Sequence, residues 1–255
     1  MPHLATLRRT VLLLAAAVLL TVTGAASAFD IGAMTDAERT AFRAEIRAYL
    51  LENPEMLVEA MDALEARQAA LQASADITLV QTNATDLFDD GISWVGGNPD
   101  GDVTLVEFMD YKCSYCKKSH AEVAELVKSD GNIRFILKEF PILGEQSLLA
   151  ARFAIAVRQV GGADAYKQSF DTLMTLRGDL TRETLDRLAT DLGLDAAAVR
   201  LAMESPEVAA EINANHDLAS RLDISGTPTF VLGGQMLRGY VPLETMQKIV
   251  ADARG

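Results

Sequence analysis

The only two cysteines of this 255-residue chain, Cys113 and Cys116, are separated by two residues. They follow residues 103–109, whose apolar side chains on both faces predict a strand buried in the middle of a sheet. A helix is predicted after them, over residues 117–127. Cys113 is therefore expected at the start of a helix, where the helix dipole favours a thiolate.

The spacing of the two cysteines favours a redox-active pair over a structural disulfide. Residues three apart on a helix have Cβ atoms about 5–6 Å apart, slightly more than the roughly 3.5–4.5 Å of a relaxed disulfide. A bridge across so short a loop adds little crosslinking stability. We therefore interpret Cys113 and Cys116 as thiols that open and close a bond during catalysis.

Metal binding is the alternative use of these thiols. Zinc takes four ligands, or three and a water, and only His120 lies at a suitable spacing, because His3 and His216 are far away in the chain. Two soft thiolates can hold Cu(I), so copper handling stays open. We predict no resident metal and no cofactor.

Residues 1–28 resemble a secretory signal peptide. Arg8 and Arg9 precede an apolar stretch at residues 11–22, and Ala-Ser-Ala at residues 26–28 fits a cleavage site. The stretch is shorter than the roughly 20 residues of a membrane-spanning helix, although an uncleaved anchor is the alternative. The sequence thus predicts a soluble periplasmic protein in an oxidising compartment.

The charge of the chain argues against a nucleic-acid partner. It contains 23 Lys and Arg residues against 36 Asp and Glu residues, for a formal net charge of −13. Such a chain lacks the basic footprint that phosphate binding needs and repels a polyanion.

Residues 29–88 are expected to form a helical stalk. Thr35 and Glu38 fit a capping box, and Pro54 divides the region into two helices. Apolar residues then follow at coiled-coil spacing: Leu57, Met61, Leu64 and Leu71. We predict a homo-oligomer formed through residues 35–88, with packing on the same chain as the alternative.

Residues 89–255 are predicted to alternate between strands and helices. Strands are expected at residues 92–95, 103–109 and 132–140, followed by a helical insert at about residues 145–222. The pair Gly233-Gly234 then predicts a hairpin turn, and Pro242 opens a last helix.

Two charged residues are predicted inside these apolar strands. Glu107 lies six residues before Cys113, and burial should raise the pKa of its carboxyl. A carboxyl of this kind could transfer protons during thiol–disulfide exchange. Lys138, in the neighbouring strand, is its predicted partner; a simple ion pair or a position at the strand edge is the alternative for Glu107.

Residues 103–255 resemble the DsbA-like thiol–disulfide oxidoreductases. The resemblance rests on EFMDYKCSYC at residues 107–116, KEFP at 138–141, GTPTF at 226–230 and the helical insert. It implies an α/β structure, a thioredoxin fold with an inserted helical domain, here preceded by the N-terminal helical stalk. The stalk is similar to the extension of the ScsC and Com1-like subgroup, in which such extensions make oligomers.

The resemblance also implies roles for single residues. Cys113 would be the exposed nucleophile and Cys116 the buried resolving thiol. Pro228 would be a cis-proline beside them, and Thr227 would offer backbone hydrogen bonds to an extended substrate. Glu107 and Lys138 fall where the family has a buried acid–lysine pair close to the active site.

The predicted function is a periplasmic oxidoreductase that acts on exported proteins and exchanges electrons with a membrane redox partner. Ser114-Tyr115 replaces the Pro-His of strongly oxidising DsbA, which implies weaker thiolate stabilisation and a less oxidising centre. Disulfide isomerase or reductase activity is favoured if the stalk makes an oligomer. Dithiol oxidation, Cu(I) handling and a noncatalytic holdase are the alternatives.

Overall fold

The computed structural model of the protein describes residues 31–255, so the predicted signal peptide at residues 1–28 lies outside the described residues. The chain divides into a first compact unit that ends at Glu65 and a second that comprises Ala66–Gly255.

The first unit is helical throughout its regular structure. A short 3-10 helix, Ile31–Ala33, precedes α1 (Asp36–Glu52), and α2 (Glu55–Thr82) begins just after Pro54. The predicted capping box is present, because the Glu38 amide donates to Thr35 Oγ1 and the Thr35 amide donates to Glu38 Oε2. No residue of α1 is buried.

The second unit is built on a five-stranded sheet. Its strands are β1 (Trp94–Gly97), β2 (Val103–Met109), β3 (Ile133–Glu139), β4 (Thr229–Leu232) and β5 (Gln235–Arg238), in the order β1-β3-β2-β4-β5. Strands β2 and β3 are parallel and the other pairs are antiparallel. This central parallel pair explains why β2 is apolar on both faces.

Helices connect and cover these strands. They are α3 (Ala84–Phe88), α4 (Ser114–Asp130), α5 (Glu145–Thr175), α6 (Arg182–Asp191), α7 (Ala196–Met203), α8 (Pro206–Arg221) and α9 (Leu243–Arg254). Helices α5–α8 lie between β3 and β4 in the chain, where the insert was predicted. Helix α5 is kinked at Gly162, which has a φ of 83° that favours glycine.

Strand β1 begins two residues later than predicted. The amides of Ile92 and Ser93 both donate to the Asp90 carboxylate and hold this segment in a turn. Trp94, the first residue of β1, is buried and stacks on Tyr166 of α5. The turn formed around Asp90 therefore overrides the local strand preference.

The sheet has a hydrophobic cluster on each face. Leu105 and Met109 of β2 pack in the cluster formed with helices α4, α5 and α9. Val106 and Phe108 pack in the other cluster, together with Val80 of α2 and Leu87 of α3. The end of the predicted stalk is thus part of the second unit, because its buried side chains cover the second face of the sheet.

Candidate redox site

The two cysteines lie where β2 is followed by α4. Cys113 is the N-cap residue of α4, and the Cys116 amide donates to its Sγ at 3.4 Å. Both cysteines are free thiols. The local sequence produces this arrangement because the buried strand β2 ends at Met109 and the helix starts directly after Cys113.

The two thiols differ strongly in acidity. A hydrogen bond from the Cys116 thiol, helped by Thr227 and by backbone amides at the start of α4, lowers the pKa of Cys113 to about 5. The same hydrogen bond raises the pKa of Cys116 far above its ordinary value, and burial raises it further. Cys113 is therefore the thiolate of the pair at neutral pH.

Cys113 is less exposed than the resemblance implies. It retains 7% of its accessible surface, whereas Cys116 retains none. The reason is that Cys113 Sγ is turned towards the loop before β4, where it lies 3.2 Å from the Thr227 carbonyl oxygen. Cys113 remains the more accessible of the two sulfurs.

The loop before β4 has the conformation that the resemblance implies. The Thr227–Pro228 peptide bond is cis. The Pro228 carbonyl accepts a hydrogen bond from the Gly239 amide at 2.8 Å, and Thr229 Oγ1 donates to the Gly226 carbonyl. These contacts hold Thr227 beside the Cys113 sulfur, at the predicted substrate-binding position.

Glu107 lies inside the protein close to both thiols. Its exposure is 1%, and burial followed by the charge of Cys113 raises its pKa to about 8. The carboxyl also lines a cavity of about 290 Å³, together with aromatic side chains and His120. Glu107 is thus mainly protonated at neutral pH, is close to the thiols and lines a space that can hold water.

The predicted pairing of Glu107 with Lys138 is wrong. In the parallel pair of strands, Glu107 is opposite Leu137, and Lys138 is opposite Phe108. Successive side chains of a strand point to opposite faces, so Lys138 lies on the face away from the thiols. Its Nζ donates to Asp90 Oδ2 at 2.6 Å and to the Asp86 carbonyl at 2.8 Å.

Sequence reasoning missed Asp110, which anchors the segment before Cys113. Its buried carboxylate accepts hydrogen bonds from the amides of Lys112, Ile142 and Leu143 and from Ser147 Oγ. These bonds join the turn before Cys113 to the start of the helical insert. An acidic residue directly after a buried strand was the available signal.

A second buried acid was also missed. Glu139, at the end of β3, accepts hydrogen bonds from the hydroxyls of Tyr111 and Tyr166 on Oε1, while its Oε2 has no hydrogen-bond partner. Burial raises the pKa of Glu139 to about 8. The carboxyl is therefore mostly neutral at pH 7, which makes its complete burial tolerable.

The described residues show no cluster of three or more potential metal ligands among His, Cys, Asp and Glu. His120, the candidate third ligand, lies with Nε2 3.2 Å from Asp171 Oδ1. Its ring also contacts Phe170 edge-on.

Comparison with known families identifies two regions. Residues 104–251 match the profile of the DSBA-like thioredoxin domain, and residues 38–70 match the copper resistance protein ScsC N-terminal domain. Among curated proteins, the chain is 30% identical to the Na(+)/H(+) antiporter NhaA 1 of Salinispora arenicola over 62% of its length, but it spans only about a quarter (24%) of that antiporter. Between residues 31 and 255, no helix is long and apolar enough to cross a membrane.

Solved structures agree with these assignments. A thioredoxin-like oxidoreductase from Silicibacter pomeroyi is 42% identical, with a TM-score of 0.63, and the match covers 67% of this chain and 96% of that one. BcfH from Salmonella enterica Typhimurium is 30% identical, with a TM-score of 0.71, and the match covers 86% and 97%. ScsC from Proteus mirabilis is 25% identical, with a TM-score of 0.63, and the match covers 86% and 98%. The chain belongs to the DSBA-like thioredoxin family of thiol–disulfide oxidoreductases, with an N-terminal region like that of ScsC.

Proposed function

We propose that this protein is a periplasmic thiol–disulfide oxidoreductase that acts on exported proteins through Cys113 and Cys116. The observation that supports this most strongly is the difference between the two thiols. Cys113 is the low-pKa, more accessible sulfur at the start of α4, and Cys116 is a buried thiol that donates to it. A nucleophile that also leaves readily, next to a protected second thiol, suits thiol–disulfide exchange.

The chemistry runs in two steps. The Cys113 thiolate attacks one sulfur of a client disulfide, forming a mixed disulfide while the other client sulfur leaves as a thiolate. Cys116 then loses its proton and attacks the Cys113 sulfur. The second client sulfur leaves as a thiolate, so the client disulfide is reduced by two electrons while Cys113 and Cys116 are oxidised to a disulfide. The reverse sequence oxidises a client dithiol.

In this proposal, the minor fraction of Glu107 that is ionised at neutral pH accepts the Cys116 proton. Its charge acts on Cys116, and its pKa of about 8 suits exchange of a proton near neutral pH. Because Glu107 lines the cavity, the proton can leave through water there without crossing the surface that the client covers.

Disulfide isomerisation and reduction are the favoured directions. The Cys113 pKa of about 5 lies between the value of about 7 for thioredoxin and about 3.5 for DsbA. A less stabilised thiolate supports a less oxidising centre. The stripe Leu57, Met61 and Leu64 is more than half exposed on the chain, which supports burial between copies in a homo-oligomer.

Insulin reduction and refolding of scrambled ribonuclease test this function. We expect both activities from the mature protein and neither from Cys113→Ser. A Cys116→Ala variant expressed in its own cells should trap mixed disulfides with exported proteins and with the membrane redox partner. Wild-type protein that is inactive in both assays would contradict the proposal.

A second experiment tests the link between oligomer and isomerase. Changing Leu57, Met61 and Leu64 together to Gln should reduce the mass measured by analytical ultracentrifugation. It should lower ribonuclease refolding while insulin reduction persists, because reduction needs one active site only. A matched control changes three exposed polar residues of α2 outside this stripe, Glu55, Glu59 and Asp62, to Ala and should keep the oligomer. Equal refolding by monomer and oligomer would remove the preference for isomerisation.

Cu(I) handling is the second candidate function, supported by the match of residues 38–70 to the N-terminal domain of a copper resistance protein. The reduced thiols would supply two soft ligands. Titration of the reduced protein with Cu(I) against a chromophoric chelator tests this, with Cys113→Ser as the control. Equal Cu(I) binding by both proteins would show that the Cys113 thiol is not a copper ligand.

A further inference from the structure

Basic residues surround the redox pair of this acidic protein. The chain has a formal net charge of −13, yet Lys112, Lys117 and Lys118 lie directly beside the two cysteines in sequence. Arg177, two residues after the end of α5, follows Leu176, whose carbonyl accepts a hydrogen bond from Lys117 Nζ at 2.7 Å. We call Lys112, Lys117, Lys118 and Arg177 the basic rim.

The basic rim reaches the loop that holds the cis-proline. Lys118 Nζ lies 3.9 Å from the centre of the Tyr240 ring, and Tyr240 follows Gly239, whose amide donates to the Pro228 carbonyl. The exposed ring of Tyr115 lies 6.5 Å from that of Tyr240. Positive charge and aromatic surface therefore stand next to each other beside Cys113.

The residues of the basic rim have no ion-pair partner within the described chain. None of its members forms an ion pair with a carboxylate of residues 31–255, whereas Lys138 and Lys167 do. The nearby acids have other partners. Asp110 is buried and caps backbone amides, as described above, and Glu122 accepts from the Tyr240 hydroxyl and the Leu243 amide.

Asp179 is the remaining acid close in sequence to the rim, two residues after Arg177. It is exposed, and its Oδ1 accepts a hydrogen bond from Gln146 at 3.4 Å. The rim thus presents four cations, and the three carboxylates nearest to it in sequence, Asp110, Glu122 and Asp179, are hydrogen-bonded to other groups.

Distance decides which charges a bound client senses. At physiological ionic strength the Debye length is about 8 Å, so a segment in contact with Cys113 interacts mainly with the basic rim. The net negative charge of distant surfaces is screened. Lysines beside a binding site accelerate association with negatively charged partners and disfavour positively charged ones.

We propose that the basic rim makes this site selective for client segments that carry Asp or Glu next to the reacting cysteine. This inference rests on the proposed function, since it specifies the substrate class of the same site. Lys112 and Lys118 are the residues that set the preference, because Lys117 is already engaged with the Leu176 carbonyl.

Three single-cysteine peptides that differ only in their flanking residues test this. Each carries Glu, Gln or Lys on both sides of the cysteine, which is capped as a mixed disulfide with thionitrobenzoate. The reduced protein attacks the peptide sulfur and releases the coloured thiolate, and Cys116 then frees the peptide thiol. Rates divided by those with dithiothreitol remove the intrinsic reactivity of each peptide.

We expect the Glu peptide to react about tenfold faster than the Lys peptide, with the Gln peptide between them. The ratio should fall towards one in Lys112→Gln/Lys118→Gln and as salt is raised. The control Lys128→Gln/Lys248→Gln makes the same charge change and should keep the ratio. Lys128 is fifteen residues along α4 from Cys113, or about 22 Å.

The outcomes separate this inference from the proposed function. Equal rates for the three peptides, or a ratio that the rim variant leaves unchanged, would overturn the selectivity while exchange itself persists. Absence of released thiolate from every peptide would overturn the oxidoreductase function. Because each ratio is measured within one variant, a change in Cys113 reactivity cancels.

Discussion

Two buried ionisable residues in neighbouring strands have different surroundings. Glu107 of β2 and Lys138 of β3 retain 1% and 0% of their exposure, respectively, and they are one position out of register in a parallel pair. That single position sends their side chains to opposite faces of the sheet. Glu107 faces the thiols and a cavity without an ion-pair partner, whereas Lys138 pairs with Asp90 on the other face.

The two residues are equally buried, but Lys138 has a structural role, whereas burial of Glu107 changes its pKa. Lys138 satisfies Asp90 and the Asp86 carbonyl, so it attaches the segment after α3 to the sheet. Among residues 31–255 no cation forms an ion pair with Glu107, and burial raises its pKa. An unpaired buried acid is costly to stability and is found where chemistry needs a tuned pKa.

Removing Lys138, the cation of the buried ion pair, should have the largest effect on stability. We expect Lys138→Met to lower the free energy of unfolding by about 3–5 kcal/mol, because Asp90 is left without its partner. Urea denaturation measures this. The double variant Lys138→Met/Asp90→Asn should recover part of the loss, and thiol exchange by the folded variant should be unchanged. Slower exchange would mean that Lys138 acts in catalysis across the sheet.

Removing the unpaired Glu107 carboxyl should have the opposite effect on the free energy of unfolding. The unfolded Glu107 carboxyl ionises near pH 4.5, whereas the folded one stays protonated until about pH 8. Folding stability therefore falls as pH rises from about 4.5 to 8. At pH 7, Glu107→Gln should raise the free energy of unfolding by about 2–3 kcal/mol.

Urea denaturation between pH 4 and pH 9 checks this pH dependence. The Glu107→Gln curve should be flatter than that of the wild type, and the slope that remains belongs partly to Glu139, whose pKa is also about 8. Parallel curves would show that Glu107 ionises freely in the folded protein.

The effect of Glu107 on catalysis should be smaller, in free energy, than its effect on folding stability. In Glu107→Gln, we expect the attack of Cys116 on the mixed disulfide to slow about tenfold at pH 7, because cavity water replaces the carboxyl only in part. Rapid-quench analysis of a preformed mixed disulfide measures this step. Lys138→Met is the matched control, and equal slowing in both variants would contradict a specific role for Glu107.

A third buried charge extends the comparison to the end of α2. Asp76 accepts two hydrogen bonds from Arg238 of β5, at 2.6 and 2.9 Å, and this pair lies partly in solvent. We expect Asp76→Asn to cost about 1 kcal/mol, measured by thermal unfolding. The hydrogen bond with Arg238 lowers the pKa of Asp76, so its contribution should disappear as pH falls below about 3.8. An unchanged melting temperature would show that α2 is held by apolar packing alone.

Local patterns were sufficient to predict most secondary structure. Strand β2 begins and ends at the predicted residues because its apolar run is bounded by Gly101-Asp102 and Asp110. The β4–β5 hairpin also matches, since Gly233 and Gly234 both have the positive φ that this turn requires. The two cysteines and Pro228 were found from their spacing and their resemblance to a family.

Features that depend on distant contacts were not predictable in this way. The face on which Lys138 lies depends on the register of β3 against β2, which no short segment encodes. The packing of Val80 and Leu87 on the sheet depends on how the chain returns to the second face. The low exposure of Cys113 depends on Thr227, which is more than a hundred residues away.

The hydrogen bonds of Asp110 limit how freely the helical insert can be exchanged. Three of the four groups that bind this carboxylate come from the segment that leads into the insert, at Ile142 and Leu143, and from its first helix, at Ser147. An engineered version with a shortened or transplanted insert would leave a buried negative charge uncompensated, three residues from the reactive sulfur. Any such graft has to carry these donors with it, or replace Asp110 by a neutral residue.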